Sequence, residues 1–119
     1  MDMDEYQTQA RKTAIYPVIC LRAEHLACTS IPWLYPVMGL SGEAGEILEK
    51  CKKLVRDSKG TMTMHDVVSL KKELGDALWY LSQIAWELGF NLNSIAEENL
   101  WKLRKRSEED KLHGEGDSR

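Results

Sequence analysis

Two long segments with helical spacing constrain the fold of this chain most strongly. Apolar residues recur at intervals of three and four through about residues 30–56 and again through 63–88, which is the pattern of an amphipathic α-helix. The stretch between them, 57–63 (DSKGTMT), consists mainly of small and polar residues and interrupts the pattern. The sequence therefore predicts two long helices joined by a short connector.

The ends of these two helices carry recognisable signals. Residues 30–32, with a serine and a proline, predict the start of the first long helix, and Pro36 is tolerated because it lies near the first turn. Thr63 with Asp66 predicts an N-terminal cap for the second long helix, and Gly89 predicts its C-terminal cap. The faces predicted to be buried are two apolar stripes, Val37, Leu40, Ala44, Ile47, Leu48, Cys51, Leu54 and Val55 in the first helix and Val67, Leu70, Leu74, Ala77, Leu78, Leu81, Ile84, Ala85 and Leu88 in the second.

The remaining segments are less regular. A shorter helix is expected over about residues 4–15, and Pro17 is expected to end it because a proline restricts the residue before it. Residues 17–30 fit either a helical turn or an irregular loop. Ser94-x-x-Glu97 has the form of a capping box and predicts the start of a fourth helix.

These elements define a fold class and a domain. The fourth helix is expected to end at about Ser107, and the charged, glycine-containing tail over 108–119 is expected to be disordered. No strand-like alternation and no internal repeat is found. The predicted fold is all-α, a bundle of four helices joined by short loops, in one domain over 1–107.

Composition excludes several classes of function. The length of 119 residues suits one domain, and a net charge of −3 argues against binding a nucleic acid polymer through bulk charge. No run of about 18 apolar residues predicts a membrane span, and the polar N-terminus lacks the pattern of a signal peptide. Cys20, Cys28 and Cys51 are odd in number and show no C-x-x-C spacing, so we expect reduced thiols in a cytoplasmic protein rather than disulfides or a zinc site.

Two acidic pairs, Glu43-x-x-Glu46 and Glu73-x-x-Asp76, lie within the two long helices. Residues three apart project from one side of a helix, so each pair presents two carboxylates together. Such pairs also arise on solvated helix surfaces, but here they lie next to the apolar stripes and beside the helix-weakening glycines Gly39, Gly42, Gly45 and Gly75. Carboxylates brought together in these surroundings repel one another unless a cation joins them. A hard divalent cation that also holds phosphates is the leading hypothesis.

Other metal and phosphate sites fit the sequence less well. A di-iron bundle uses Glu-x-x-His pairs, and no histidine of this chain has a glutamate three positions before it. His65 and Asp66 form a histidine–aspartate pair, but the further histidines of such a site are missing, and we interpret the pair as the polar start of a helix. The chain also lacks a glycine-rich phosphate loop and a serine nucleophile elbow.

The residues around the acidic pairs resemble a known family. The segments GLSGEAGEILEKCKKLVRD, LKKELGDALWYLSQIAWELGF and NLWKLRKR are similar to the MazG-like nucleoside triphosphate pyrophosphohydrolases, whose pattern is E-x-x-E, a spacer, and E-x-x-D. The flanking glycines, the aromatic segment after Asp76 and the Asn99-x-x-Lys102 element follow in the same order. The resemblance extends from about Tyr6 to Arg106.

This resemblance implies a reaction and a set of metal ligands. MazG-like enzymes hydrolyse the bond between the α- and β-phosphates and release a nucleoside monophosphate and pyrophosphate. Carried over by position, Glu43, Glu46, Glu73 and Asp76 would ligate Mg²⁺, with Mn²⁺ as a substitute ion. Glu46, or alternatively Glu43, would be the catalytic carboxylate that orients or deprotonates the attacking water. Glu49 is expected to form a solvent-facing salt bridge rather than to contact the metal.

Further residues are candidates for binding the nucleotide. Tyr80, one turn beyond Asp76, is placed to reach a sugar or a phosphate, although packing alone would also explain it. For Arg56 and Arg106 a solvated or ion-paired surface position is the alternative. The basic and polar candidates for the triphosphate are Lys53, Arg56, Asn99, Lys102 and Arg106.

The base pocket is the least specific part of the sequence. Aromatic and polar residues that could form its walls are Trp33, Tyr16, Gln9 and Thr13. The remaining tryptophans, at helical spacing, are expected in the core or at a subunit interface; they are Trp79, Trp86 and Trp101.

The apolar residues exceed what one thin bundle buries, and members of the family are dimers or tetramers. We therefore expect a homodimer or homotetramer. Two competing hypotheses remain open at the level of sequence. One is a helical interaction module without enzymatic activity, and the other is a related hydrolase that acts on a nucleotide such as phosphoribosyl-ATP.

Overall fold

The two long helical segments form the centre of the structure, a computed structural model that describes residues 1–22, 24–25, 27–109, 111–114 and 116–117. Within these residues the chain is mostly helical, with four α-helices and one two-stranded sheet. In chain order the elements are α1 (Met3–Arg11), β1 (Ile19–Leu21), β2 (Thr29–Ile31), α2 (Leu34–Ser58), α3 (Met64–Glu87) and α4 (Leu92–Glu108). The four predicted helices are confirmed, and the small sheet is an element that the sequence did not predict.

Both long helices begin and end close to the predicted positions. Thr63 and Asp66 form the predicted capping box, in which the Asp66 carboxylate accepts a hydrogen bond from the Thr63 backbone N–H (2.7 Å) and the Thr63 hydroxyl accepts one from Asp66 N–H (3.3 Å). Gly89 follows α3 at a φ of +78°, a left-handed conformation that favours glycine. α2 begins at Leu34, slightly later than predicted, and Pro36 lies in its first turn, where a missing N–H removes no helical hydrogen bond.

The first helix is shorter than predicted. α1 ends at Arg11, because the Lys12 and Thr13 amides already bond to carbonyls three residues earlier and the chain turns out of the helix. The Thr13 hydroxyl also donates to the Ala10 carbonyl at 2.8 Å. The sequence predicted that Pro17 ends this helix, and this prediction is wrong because the helix already ends at Arg11.

The fourth helix begins earlier than predicted. The Asn91 side chain accepts a hydrogen bond from the Ser94 backbone N–H at 3.1 Å and caps the helix. Ser94 consequently lies inside the first turn of α4, and the predicted capping box of Ser94 and Glu97 is wrong. Asn91 and Ser94 are both good cap residues three positions apart, and only one of them can precede the helix.

The segment that fitted either a helical turn or an irregular loop contains a β-hairpin. Its strands pair antiparallel, with Ile19 opposite Ile31, Cys20 opposite Ser30 and Leu21 opposite Thr29. The expectation that the chain contains no strand is therefore wrong. These strands have only three residues each, too few for an alternating pattern to be recognised.

The hairpin also overturns the expectation that all three cysteines are reduced. Cys20 and Cys28 form a disulfide, and Cys51 is free. The antiparallel pairing brings the two Cα atoms to 5.8 Å, within the range that a disulfide spans. The pairing depends on the strand register and needs no C-x-x-C spacing.

The most deeply buried side chains of the described residues are largely polar. Gln7 of α1 donates to the Phe90 carbonyl at 2.9 Å and accepts from Leu92 N–H at 3.2 Å, so that it ties α1 to the turn between α3 and α4. Ser82 and Gln83 of α3 are completely buried beside it. Because these buried groups are hydrogen-bonded, they fix the position of α1 rather than destabilise the core.

Several side chains that were predicted to be buried are exposed in the single chain. Leu48 and Val55 of α2 are 70% and 71% exposed, and Leu74 of α3 is 59% exposed. The prediction of a fully buried apolar stripe is therefore wrong within one copy of the chain, because the polar side of α3 is the one that packs against α1 and α2. No helix in the described part of the chain is long and apolar enough to cross a membrane.

Candidate functional site

The packing of α2 against α3 aligns polar residues of the two helices. Lys50 donates a hydrogen bond to the Ser69 hydroxyl (2.8 Å) and forms an ion pair with Glu73 (3.2 Å). Gly39, three turns earlier in α2, lies against the ring of Tyr80, which comes later in α3. Since partners in α3 advance as residue numbers in α2 decrease, the two helices are antiparallel, and the middle of one faces the middle of the other.

Three acidic residues meet at this point. Carboxylate oxygens of Glu43 from α2 and of Glu73 and Asp76 from α3 all lie within 4.8 Å of one another. Glu43 and Glu73 are partly buried between the helices, and Asp76 is exposed at the edge. One carboxylate of the first acidic pair and both of the second therefore converge, and we call these three residues the acidic cluster.

The electrostatics of the acidic cluster favour a cation. Burial raises the pKa of Glu43, and the neighbouring carboxylates of Glu46, Asp76 and Glu73 raise it further. In the part of the chain that the structure describes, one lysine and no arginine forms an ion pair with a residue of the cluster, and this lysine, Lys50, pairs with Glu73 alone. Closely spaced, hard oxygen donors with uncompensated negative charge are a donor set that suits Mg²⁺ or Mn²⁺. The residues present thus fit the predicted metal.

Glu46 and Glu49 lie outside the acidic cluster. Glu46 is exposed on α2 and is not among the three converging carboxylates, although it is close enough to raise the pKa of Glu43. Glu49 pairs with Lys52 at 2.7 Å and with Lys53 at 4.0 Å, which is the solvent-facing salt bridge predicted for it. The metal and catalytic roles of Glu46 remain a prediction.

Tyr80 lies beside the acidic cluster. A Cβ atom at Gly39 would overlap the Tyr80 ring, so the glycine allows this ring to pack on α2. Burial raises the pKa of the Tyr80 hydroxyl, with further contributions from Tyr35, Glu43 and Asp76. Tyr80 therefore lies near the carboxylates, as its position one turn beyond Asp76 predicted.

The other glycines near the acidic pairs face open space. A Cβ atom at Gly42, Gly45 or Gly75 would meet no described atom within 4 Å. Each of these glycines weakens its helix by about 1 kcal/mol relative to alanine. The packing of the single chain does not require glycine at these three positions.

An aromatic group connects the segment that follows α1 to α2 and α3. Tyr16 stacks on Tyr35, with ring centroids 5.8 Å apart and an interplanar angle of 8°, and it meets the edge of Trp79 at 6.1 Å. Trp79 donates a hydrogen bond to the Thr13 hydroxyl at 2.8 Å and packs edge-on against Tyr80. Tyr16 and Thr13, predicted as walls of the base pocket, therefore contact Trp79, which was expected in the core or at a subunit interface, and Tyr16 also stacks on Tyr35, for which the sequence predicted no role.

A spacing in the sequence could have indicated Tyr35. It lies eight residues before Glu43, with Gly39 midway between them, so all three face the same side of α2. Among the described residues, the two other predicted wall residues make no ring contact or hydrogen bond with this aromatic group. Trp33 precedes α2 and is exposed, and the exposed Gln9 accepts a hydrogen bond from Lys12 at 2.8 Å.

The predicted phosphate-binding residues occupy two other places. Lys53 and Arg56 are exposed on α2, where Lys53 pairs with Glu49 and Arg56 forms two short hydrogen bonds to Asp57. The candidates on α4 line an open groove of about 760 Å³, whose described lining contains none of the four predicted metal ligands. These groove residues are Asn99, Lys102 and Arg106. A single chain therefore holds the acidic cluster and the α4 residues at separate sites.

Comparison with known proteins gives the family. Residues 36–110 match the family model of the MazG nucleotide pyrophosphohydrolase domain. The chain belongs to the MazG family. The match contains both acidic pairs and the residues of the α4 groove up to position 110, whereas α1 and the β-hairpin precede it.

A curated relative matches the MazG chain along its whole length. The "Gene 37 protein" of Mycobacterium phage L5 is 42% identical over 120 residues, and the alignment covers all of both proteins. Its name states no activity. No solved structure matches the chain.

Proposed function

We propose that this MazG-family chain hydrolyses nucleoside or deoxynucleoside triphosphates to the monophosphate and pyrophosphate, with Mg²⁺ as its cofactor, and thereby removes unwanted nucleotides from the cellular pool. The observation that carries the proposal is the convergence of Glu43, Glu73 and Asp76, whose oxygens lie within 4.8 Å of one another. These are three of the four positions that the family's acidic motif assigns to metal ligands. Family membership supports the same reaction class.

The residues of α2 and α3 would share the work at the reacting phosphates. Glu43, Glu73 and Asp76 would hold the Mg²⁺ ion, with Glu46 as a further ligand. The ion would neutralise phosphate charge and make a bound water more acidic. Water adds across the α–β anhydride, the bond to the departing pyrophosphate breaks, and a proton is released. Glu46, exposed one turn from Glu43, is the carboxylate that we assign to orient the water and accept this proton.

The aromatic group suits the nucleoside end of the substrate. Tyr16, Tyr35 and Trp79 present ring faces and edges to one another, and Trp79 also contacts Tyr80, which lies near the acidic cluster; bases stack on aromatic side chains. Tyr80 packs edge-on against Trp79 and is close enough to Glu43 and Asp76 for their charges to raise the pKa of its hydroxyl, and we assign this hydroxyl to donate a hydrogen bond to the ribose or a phosphate. We keep Trp33 as an outer wall because it stands at the start of α2, two residues before Tyr35.

The triphosphate needs positive charge that the acidic cluster lacks. We assign this role to Lys102 and Arg106 with Asn99 on α4, and to Lys53 and Arg56 on α2. A homodimer or homotetramer would cover the exposed leucines and valines of α2 and α3 and would bring the α4 residues of one copy towards the carboxylates of another. Size-exclusion chromatography with light scattering tests this assembly, and a stable monomer at micromolar concentration would contradict it.

A panel of nucleotides with a pyrophosphate readout tests the activity. The four common ribonucleoside and four deoxyribonucleoside triphosphates, together with phosphoribosyl-ATP, are incubated with Mg²⁺ and then with excess chelator. We expect turnover of at least one triphosphate, loss of turnover with chelator, and loss in Glu46→Ala and Asp76→Ala. Glu49→Ala is the matched control, because it removes a carboxylate from the same helix that pairs with Lys52 instead of joining the acidic cluster.

Two results would reject this proposal. Absence of turnover by the unmodified chain on every substrate would favour the alternative of a helical interaction module. Equal turnover by Asp76→Ala and the unmodified chain would show that the acidic cluster is not the reaction site. Turnover of phosphoribosyl-ATP alone would change the proposed substrate class and leave the proposed metal centre unchanged.

A further inference from the structure

A carboxylate from the C-terminal segment lies on two of the basic residues of the α4 groove. Asp117 Oδ1 lies 3.1 Å from Lys102 Nζ and 2.9 Å from Arg106 Nη2. Arg106 Nη2 also donates a hydrogen bond to the Gly116 carbonyl at 3.3 Å. One oxygen of Asp117 thus accepts charge-assisted hydrogen bonds from both side chains, the geometry in which a phosphate oxygen would also be bound.

Arg106 has the properties of an anion-binding residue. It is only 6% exposed, although arginine is rarely buried without partners. Its Nε atom is buried and has no hydrogen-bond partner among the described residues. An arginine has five N–H donors in a fixed planar arrangement, and Asp117 and Gly116 engage one of its terminal nitrogens. A buried guanidinium with an unused donor favours a larger anion that offers more oxygens.

The groove around Arg106 has room for such an anion. Its volume is about 760 Å³, and its described lining contains four basic and three acidic side chains. Asn99 adds an amide that can donate to an oxygen, and Lys105 lies on the same helix over the ring of Trp101. When Asp117 leaves, the positive charge of the groove exceeds its negative charge by one more unit.

We propose that Lys102 and Arg106 form a binding site for the phosphates of a nucleotide or for pyrophosphate, and that Asp117 occupies this site as an intramolecular competitor. The identification of the natural anion rests on the proposed function, whereas the competition itself does not. Arg106 first, and Lys102 second, lower the pKa of Asp117, so the carboxylate is charged when it competes. A phosphate that enters the groove displaces Asp117 and the segment that carries it.

The competition is expected to be moderate. Asp117 is 83% exposed, and exposed ion pairs contribute little because solvent screens them. An occluding group reduces apparent affinity in proportion to the fraction of molecules in which the site is open. We therefore expect removal of the Asp117 charge to tighten binding by about threefold to tenfold.

The test uses the full chain, inorganic pyrophosphate and isothermal titration calorimetry in the presence of a chelator. The chelator removes divalent ions, so the titration measures the α4 groove and not the acidic cluster. We expect Asp117→Asn to bind pyrophosphate about threefold to tenfold more tightly than the unmodified chain. Lys102→Met in the Asp117→Asn background should abolish that gain, which places the effect at the proposed pair.

Glu109→Gln provides the matched control. It removes the same charge from the same groove but releases Lys111, to which Glu109 is bonded at 2.9 Å, instead of Lys102 and Arg106. Its affinity for pyrophosphate should stay within about twofold of the unmodified chain. An equal gain in Glu109→Gln and Asp117→Asn would overturn the proposal, because general charge would then explain it. Unchanged binding in Asp117→Asn would overturn it as well.

A second measurement separates this proposal from the proposed function. With Mg²⁺ and the preferred triphosphate, Asp117→Asn should lower KM by a similar factor and leave kcat within about twofold. If no variant hydrolyses any nucleotide but Asp117→Asn gains affinity for pyrophosphate, the activity is rejected and the competing carboxylate stands. If hydrolysis occurs but neither KM nor pyrophosphate binding responds to Asp117→Asn, the proposed activity stands and the competing carboxylate is rejected.

Discussion

Two halves of one polar stripe on α3 differ in how their charges are balanced. The stripe follows a spacing of three and four along the helix and consists of Ser69, Glu73, Asp76, Tyr80, Gln83 and Glu87. In its second half, Arg11 Nη1 donates to the Glu87 carboxylate at 2.7 Å, to Gln83 at 3.2 Å and to the Tyr16 hydroxyl at 2.7 Å. In its first half, Glu73 and Asp76 meet a third carboxylate, Glu43, and Lys50 forms an ion pair with Glu73.

This difference separates a structural polar site from a candidate ligand site. Both halves are polar, both face a neighbouring helix, and both belong to the segment that matches the MazG family model. The half around Glu87 is saturated with partners from its own chain, so it needs nothing further. The half around Glu73 has an excess of negative charge, which is stable only if a cation is added or if protons are taken up. Burial of polar groups is common to both, and charge excess distinguishes them.

The largest expected effect is a reversal of phenotype between the two halves. Asp76→Asn should reduce turnover by roughly 10²-fold or more, since it removes a predicted metal ligand, and should leave thermal stability without metal unchanged or raised because repulsion falls. Glu87→Gln should leave kcat within a few-fold but lower the free energy of unfolding by about 1–3 kcal/mol. Steady-state kinetics and chemical denaturation of both variants test this. A loss of stability in Asp76→Asn that matches that of Glu87→Gln would erase the distinction.

A divalent ion should stabilise the protein by binding at the half around Glu73 and not at the half around Glu87. At a Mg²⁺ concentration of about 100 times Kd, a ligand that binds only the folded state adds about 2.7 kcal/mol, or roughly 10 °C in Tm for a domain of this size. Differential scanning fluorimetry with Mg²⁺ and with chelator measures the shift. The shift should persist in Glu87→Gln and disappear in Asp76→Asn. An equal Mg²⁺ shift in Asp76→Asn would place the ion elsewhere.

Gly39 marks the boundary between the two halves, where the Tyr80 ring packs on α2. Gly39→Ala should lower the free energy of unfolding by about 1–3 kcal/mol, because the new methyl group overlaps the ring and Trp79 limits the movement of that ring. Gly42→Ala, one turn away with no described atom within 4 Å of its Cβ position, should raise it by about 0.5–1 kcal/mol. Urea denaturation of both variants gives the two signs. If both substitutions change the free energy of unfolding in the same direction, the packing of Tyr80 does not specifically require glycine at position 39.

Local patterns predicted the part of the site that lies on α2 and α3. Each acidic pair lies within a helix with clear periodicity, and the cap at Thr63 fixes the start of α3, so the approach of Glu43 to Glu73 follows from a short connector between two long helices. Lys50 could have been found by the same reasoning, since it lies seven residues after Glu43 on the same face. The periodicity of single helices was sufficient for these contacts.

Contacts between distant segments were not predictable in this way. Arg11 and Glu87 are far apart in sequence, and no helical pattern relates them. The polar stripe of α3 was overlooked because its apolar stripe was the stronger signal, although in the single chain Leu74 is more exposed than Gln83. The β-hairpin was missed because its strands are short, and the Cys20–Cys28 pairing depends on their register.

The smallest expected effect is an alkaline loss of stability at the saturated half. Burial, and then the hydrogen bond to Glu87, raise the pKa of Tyr16 to about 12 from an ordinary value near 10, against a smaller opposing effect of Arg11. Between these two values the unfolded chain loses the phenolic proton while the folded chain keeps it. The stability that the neutral phenol contributes is therefore complete below pH 10 and is lost as pH rises through about 12.

Tyr16→Phe isolates this contribution. It should melt a few degrees below the unmodified chain at pH 8, and the difference in Tm should shrink steadily from pH 10 to pH 12. Other tyrosines titrate in the same range, but they are present in both proteins, and their effect cancels in the difference. A difference in Tm that stays constant up to pH 12 would mean that Glu87 is not bonded to the neutral phenol. The half around Glu87 would then lack one of the hydrogen bonds that distinguish it from the acidic cluster.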